Sequence, residues 1–431
     1  MYLFDKALDA TMKMLAVDSV QGAPCADSPF GEGVAKCLHI VEDAAKERGF
    51  RTVYGDGYYV YAEIGEGDLF GILGHVDTVP YEGKWDANPL GEIKDGKIYG
   101  RGVLDDKGPM ICCMYAAFQL LEEGYKPRFR LRFIFGGNEE TGWKCIERYM
   151  EKEEKPVTGF SPDGDFPVIN CEKGVAQILV KFVKPSKLVS LDGGVRANIV
   201  IDDASAVVEG ESKEVNGGNI TATVKDGKTY IRATGRPAHG STPEKGDNAV
   251  WHILGYCAEN FGGEFEKLRQ QLCDWTGAGL GIAESDESGA LSCNVGIIHC
   301  EGDELAVTLD IRHPNSMKRS EVEDRLRKVE GVKSVTTQHF HDPHFVDEKE
   351  SLVQGLLGAY NDVTGTDDKP FSIGGATYAR ALDGGVAFGP MFPWQESTIH
   401  QKNEHATIED FRKMYDVYLE ALKRAVFEKS E

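Results

Sequence analysis

The stretch Phe133-Ile-Phe-Gly-Gly-Asn-Glu139-Glu140-Thr141-Gly142 most constrains what this chain can fold into. Phe129, Leu131, Phe133 and Phe135 alternate with Arg130 and Arg132, the period of a β-strand. Two glycines then end the strand, and two carboxylates follow side by side. In open α/β sheets the ground just beyond the carboxyl ends of the strands is where ligands bind. Adjacent side chains diverge there, so one glutamate can bind a metal while its neighbour faces substrate as a general base. A lone Glu-Glu pair also suits a solvated acidic loop, and the rest of the sequence has to decide between the two.

With 431 residues, 41% of them hydrophobic, the chain can bury a large core and has the length of two or three domains. Forty-eight basic against seventy acidic residues give a net charge of −22, which argues against nucleic acid and anionic membrane as partners. Ten cysteines are scattered without a C-x-x-C pair, as expected of reduced thiols in a cytoplasmic protein. The first residues mix acid and base in a helical period, unlike a signal peptide. No run approaches eighteen consecutive apolar residues.

In the first third, Leu3, Phe4, Ala7, Leu8, Met12 and Leu15 form a helical stripe, and Tyr58 to Ile64 reads as a strand. A second strand, Leu69 to Gly74, runs into His75-Val76-Asp77. A histidine after a strand is commonly a hydrogen-bonded core residue, but an aspartate two positions on can accept its second N–H and fix the tautomer of a metal-bound imidazole. Gly100-Arg-Gly-Val-Leu-Asp105-Asp106-Lys-Gly-Pro109 then precedes an apolar segment that reads as a helix ending at Gly124. Asp106 suits the helix dipole, and Asp105 is the better candidate for a carboxylate bridging two metals. Ser161-Pro-Asp163 lies in a turn-rich segment. Near the end, His400 precedes a helix opened by a Thr407/Asp410 capping box.

Gly74-His-Val-Asp77, Gly100 to Gly108, Asn138-Glu-Glu-Thr-Gly142, Ser161-Pro-Asp163 and His400 occur in the order found in the dinuclear metallopeptidase family of aminoacylases, desuccinylases, carnosinases and PepV-type dipeptidases. The chain resembles that family over nearly its whole length, and most of all its PepV-type members. The resemblance implies a zinc-peptidase-like mixed sheet flanked by helices, with an inserted α+β lid domain. It implies that His75, Asp105 and Asp163 hold one metal and Asp105, Glu140 and His400 the other, with Glu139 as general base and Asp77 orienting His75. It also implies a cis peptide between Asp105 and Asp106. Imidazole with carboxylate and no thiolate suits zinc, with manganese or cobalt as alternatives.

The middle of the chain has a different rhythm. Val175 to Phe182 reads as a strand, and Asn219–Val224 and Thr229–Thr234 flank Asp226-Gly227, a hairpin turn. From Thr229 the order strand, helix, strand, strand, helix, strand is ferredoxin-like. The expected organisation is therefore a catalytic domain in two parts, 1–174 and 347–431, around a lid at 175–346. The insert is longer than one such unit requires, and by resemblance the extra part fills the space of a partner subunit, so a monomer is expected.

Three polar clusters in the insert resemble lid residues of the family: His239, an oxyanion donor; Arg312, a grip on the substrate carboxylate; and Asn198, a further contact. Gly374, Gly375 and Thr377, placed in the first domain, resemble the loop that receives the substrate's C-terminus. The expected activity is cleavage of dipeptides, small peptides being the only partner. An N-acyl amino acid deacylase or desuccinylase is the nearest alternative, and a catalytically inactive metal- or peptide-binding protein is the alternative of another class. Glu139, Asp77 and His239 together argue against an inactive binder, which needs none of them.

Overall fold

A computed structural model of the chain describes residues 2–429. The chain divides into two compact units, one of Met1–Asn170, Val346–Phe371 and Ala376–Glu431, the other of Cys171–Phe345 with Ser372–Gly375.

In the first unit a mixed sheet runs in the order Arg51–Gly55, Tyr59–Ile64, Arg130–Gly136, Leu69–His75, Thr158–Ser161, Gly385–Ala387. The last four strands are parallel and the first two antiparallel. Every residue of Leu69–His75 is buried, so both faces of the sheet are covered, as parallel strands require. The helix Lys107–Glu122 packs against this strand and against the helices Phe4–Leu15 and Ile408–Ala425. The helix Glu32–Lys46, which has no place in the sequence reading, covers Arg51–Gly55 and Tyr59–Ile64. Thr407 accepts from the Asp410 amide at 2.9 Å and donates to its carboxylate at 2.8 Å, so the capping box opens the last helix. Because His75 lies opposite Gly136 in parallel register, the segments that follow the two strands emerge at the same edge of the sheet.

The second unit is built on one nine-stranded sheet in the order Val215–Gly217, Ile220–Lys225, Lys228–Thr234, Asp203–Glu209, Leu188–Gly193, Ser292–Glu301, Glu304–His313, Gly174–Val183, Val332–His341. Here the expectation for the ferredoxin-like unit is corrected. Its first strand is Gly174–Val183, paired with both Glu304–His313 and Val332–His341, and not the strand beginning near Thr229. Lys228–Thr234 instead belongs to a five-strand insertion, Leu188 to Thr234, that extends the sheet beyond Ser292–Glu301. The hairpin at Asp226-Gly227 is present, with φ of +50° and +72°.

Along Gly174–Val183, Ala176, Ile178, Val180 and Phe182 are buried in the apolar core of this unit. The residues between them face the other way. Register places Arg312 opposite Val175 and Ser292, and Asp310 opposite Gln177 and Asn294, so that second face is polar. Gly374 and Gly375, expected in the first domain, group with this unit.

Candidate active site

Five segments of the first unit bring acid and imidazole together. His75 ends its strand and is fully buried. Gly74 before it is required by packing, because a Cβ there would come within 1.9 Å of Asp106 Oδ2, and that oxygen accepts the His75 amide at 3.3 Å. The Asp105–Asp106 peptide is cis. Asp105 precedes the Lys107–Glu122 helix, Glu139 and Glu140 follow Gly136, and Asp163 follows Ser161. His400 sits in a loop with φ +59°, the left-handed region seldom occupied by residues with a side chain.

The two oxygens of Asp105 point to different histidines. Oδ1 lies 2.9 Å from His75 Nε2, and Oδ2 lies 2.9 Å from His400 Nε2. Glu140 Oε1 is 2.9 Å from His400 Nε2, and Asp163 Oδ2 is 3.8 Å from His75 Nε2. All five expected ligands therefore meet, in two groups that share Asp105. Asp77 contacts His75 and does more besides. His75 Nδ1 is 3.0 Å from the main-chain carbonyl of Asp77 and 3.4 Å from its carboxylate. That carboxylate accepts the amides of Glu139 at 2.9 Å and Glu140 at 3.2 Å. Asp77 thus meets the imidazole with its carbonyl and its carboxylate, and the same carboxylate holds the glutamate turn.

Crowding of acid governs the electrostatics. Burial pushes the Glu139 carboxyl up to about 7, and burial with the nearby Asp105 charge holds Asp163 well above the usual carboxylate range. Burial also opposes ionisation of Asp105, but hydrogen bonds from His400 and His75 outweigh it and lower its pKa. Those with Asp105 and Glu140 raise His400 to about 10. His75 follows the same pattern, with its bonds to Asp105 and Asp77 overriding burial.

Four carboxylates and two imidazoles this close together hold their charges in balance by retaining protons, and a divalent cation can take the place of those protons. His75, Asp105 and Glu140 offer atoms all within 4.8 Å of one another, close enough for metal ligation around the shared Asp105. The oxygen and imidazole donors fit divalent zinc, manganese or cobalt.

Two further groups carry no role in the sequence reading. Glu404, fully buried, accepts from Arg101 at 2.8 Å and from the amides of Gly102 and Leu104 at 3.1 and 3.0 Å. It ties the loop bearing His400 to the loop bearing Asp105. Its position four residues after His400 is the only signal the sequence offers. Trp143 donates its indole N–H to Glu139 Oε1 at 2.8 Å. No periodicity marks it, because it acts from a turn.

In the second unit His239, Arg312, Asn198 and Gly374 also gather. His239 Nδ1 accepts the Ser241 amide at 3.2 Å and lies 2.7 Å from the Ser241 hydroxyl, which leaves the proton on Nε2. Burial and the Arg312 charge lower the His239 pKa, favouring the neutral ring. Arg312 donates to both oxygens of Asp310, at 2.7 and 3.1 Å, and to the Gly374 carbonyl at 2.9 Å. The Asn198 carbonyl accepts the Gly240 amide at 2.7 Å, one residue from His239. Thr377 belongs to the first unit, where its side chain caps the short helix Tyr378–Ala381.

Comparison with known proteins shows the family. Residues 71–424 match the description "Peptidase family M20/M25/M40". The protein named "Putative dipeptidase YtjP" of Bacillus subtilis (strain 168) is 34% identical over 445 residues, covering 96% of this chain and 95% of that protein. One named "Putative dipeptidase SSP1012", from Staphylococcus saprophyticus, is 33% identical over 461 residues and 98% of each chain. Among solved structures, the aminoacylhistidine dipeptidase of Vibrio alginolyticus shares the fold with a TM-score of 0.59 at 13% identity, covering 98% of this chain and 97% of that one. The M20 family metallo-carboxypeptidase Sso-CP2 of Sulfolobus solfataricus gives 0.58 at 17% identity, covering 97% and 99%. With full-length relatives at this identity and the family pattern running from Gly71 to Arg424, the chain belongs to peptidase family M20/M25/M40, a family of metal-dependent peptidases.

Proposed function

We propose that this chain hydrolyses the peptide bond of dipeptides, with His75, Asp105 and Asp163 holding one divalent ion and Asp105, Glu140 and His400 holding the other. The observation that carries this reading is the placing of Asp105, one oxygen toward each histidine. Zinc is the first choice, manganese and cobalt the alternatives. When bound, such ions lower the pKa of water and polarise a carbonyl.

The chain's own groups do the rest. Glu139, not needed as a ligand, takes the proton of the attacking water and passes it to the leaving amine. A carboxyl raised to about 7 is suited to both halves of that transfer near neutral pH. Asp77 keeps the Glu139–Glu140 turn and His75 in mutual register. His239 donates from Nε2 to the oxyanion, and Arg312, with Gly374, Gly375 and Thr377, receives the substrate carboxylate, with Asn198 as a further contact. We extend the proposal to a cytoplasmic monomer in which His239 serves its own chain. Among the described residues no helix is long and apolar enough to cross a membrane.

The test is a panel of dipeptides and N-acyl amino acids against enzyme reconstituted with zinc, manganese or cobalt. Dipeptides should be cleaved. Turnover of N-acyl amino acids alone would replace this reading with that of a deacylase, and no turnover of either would favour a binding protein.

A further inference from the structure

Glu139 is held at two points, and the second has no counterpart in the ligand scheme. Its amide is fixed by Asp77. Its carboxylate accepts the Trp143 indole N–H at Oε1, 2.8 Å away. The indole is itself constrained. Trp143 has φ +63°, directly before the helix Lys144–Lys152, and its amide donates to the Asn138 carbonyl at 2.8 Å. Asn138 in turn accepts the Lys144 amide on its side-chain oxygen at 3.1 Å, closing the turn that bears both glutamates. Tyr378, fully buried, meets the indole edge-on, with centroids 5.0 Å apart at 69°, and its hydroxyl lies 2.8 Å from Cys145 Sγ.

The terminal torsion of a glutamate is soft and nearly two-fold, so a carboxylate with no partner samples many orientations. A base must present one oxygen within hydrogen-bond reach of the proton it takes. A rigid donor on Oε1 removes that freedom and leaves Oε2 as the oxygen free to accept. An indole N–H suits the task because it donates only and cannot deliver a proton to the carboxylate at working pH.

We propose that Trp143 is a positioning residue for the reaction, selecting the rotamer of Glu139 and assigning proton transfer to Oε2, with Tyr378 buttressing the indole. The inference rests on Glu139 being the base, and its test separates the two ideas. Trp143→Phe keeps an aromatic ring against Tyr378 and removes the donor. In metal-reconstituted enzyme it should lower kcat by about 10- to 100-fold, the range for loss of a partner that orients an active-site ligand. KM, metal content and thermal midpoint should stay near wild type. In a Glu139→Asp background, whose shorter carboxylate cannot keep the indole contact, Trp143→Phe should cost little more.

A wild-type kcat in Trp143→Phe would overturn the inference. So would an equal loss of kcat in the Glu139→Asp background, or a loss accompanied by a fall in bound metal, since either makes Trp143 a structural residue. Glu139→Gln tests the underlying reading: if that variant retains kcat, Glu139 is not the base, whatever Trp143→Phe does. If Glu139→Gln is inactive while Trp143→Phe is unaffected, only the role of Trp143 falls.

Discussion

Two regions of the first unit bury carboxylates and neutralise them in opposite ways. Glu63, on the strand Tyr59–Ile64, lies opposite Arg132 in register, and Arg132 donates its Nε to Glu63 Oε2 at 2.7 Å. Arg51 adds a bond at 2.6 Å, and the Arg132 guanidinium also meets the Tyr149 hydroxyl at 2.7 Å and covers the Tyr61 ring at 4.0 Å. This carboxylate is answered by the chain's own cations. A few residues beyond Arg132, past the end of the strand Arg130–Gly136, Glu139 and Glu140 meet Asp105 and Asp163 with only His75 and His400 among them. No lysine or arginine among the described residues ion-pairs with these four acids. A buried charge needs a partner. In one region the protein supplies it from its own side chains, and in the other, on the reading proposed above, an ion from solution is the partner. The first region is built for stability and the second for chemistry.

The largest effect that could break this contrast is on turnover. Glu139→Ala should lose about a thousandfold or more in kcat, the scale of a general base together with water activation, while keeping its metal. Steady-state kinetics with metal analysis on the same sample checks both halves, and near-normal turnover would undo the mechanism.

Metal content distinguishes the neighbouring glutamate. Glu140→Ala should lose metal on dialysis, and a chelator should lower the thermal midpoint of the wild type, because an ion that binds only the folded state stabilises it by mass action. Added zinc or manganese should restore that midpoint in the wild type and restore it poorly in Glu140→Ala. If chelation leaves the wild-type midpoint unmoved, the acidic cluster does not depend on an ion as described.

Arg132→Ala sharpens the other side. Removing the partner leaves Glu63 buried and unpaired, a defect of roughly 3–5 kcal/mol. Urea unfolding measures it. The folded protein should keep its full metal content, which separates this defect from that of Glu140→Ala.

The smallest expected effect is on the pH dependence of stability. Burial opposes ionisation of Glu63, but its hydrogen bonds with Arg132 and Arg51 and their charge outweigh it, so the carboxyl lies below the ordinary glutamate value. A pKa lowered by folding contributes stability that is full above the unfolded value of about 4.3 and is lost as pH falls through the folded value. Glu63→Gln should therefore be destabilised at neutral pH, and its deficit against wild type should narrow below about pH 4. A deficit constant across that range would show that the charge of Glu63 is not what matters.

Much of the candidate site could be read from residue order because His75, Asp105, Glu139, Glu140 and Asp163 lie at or just past the end of a strand, or just before a helix, which have local signatures, whereas His400 sits in a loop. His75 follows an apolar run, Glu139 and Glu140 follow two glycines, and Asp105 precedes a helix. What was not legible depends on contacts between distant segments. Trp143 and Glu404 act through hydrogen bonds made from irregular backbone, which leave no period to detect. The carboxylate of Asp77 lies 3.4 Å from His75 Nδ1, near its expected partner, but that it also takes the amides of Glu139 and Glu140, sixty-odd positions away, had no local signal.

The same distinction runs through the second unit. Alternation along Val175 to Phe182 establishes a strand and its apolar face, since side chains alternate regardless of what lies beside them. It does not name the neighbours. The order of strands and helices after Thr229 satisfied a ferredoxin-like pattern, but the place expected for that strand is held by Gly174–Val183, between partners more than a hundred residues later in the chain.

By itself the sequence determined most of the elements, their apolar faces and the acids and histidines of the candidate site, because these follow from local periodicity, capping and residue type. Tertiary structure alone decided which strand completes the second sheet, which oxygen of Asp105 faces which histidine, and which donor holds Glu139. Strand pairing and hydrogen-bond choice are set by competition among many partners of similar local propensity, and only the packed chain resolves that competition.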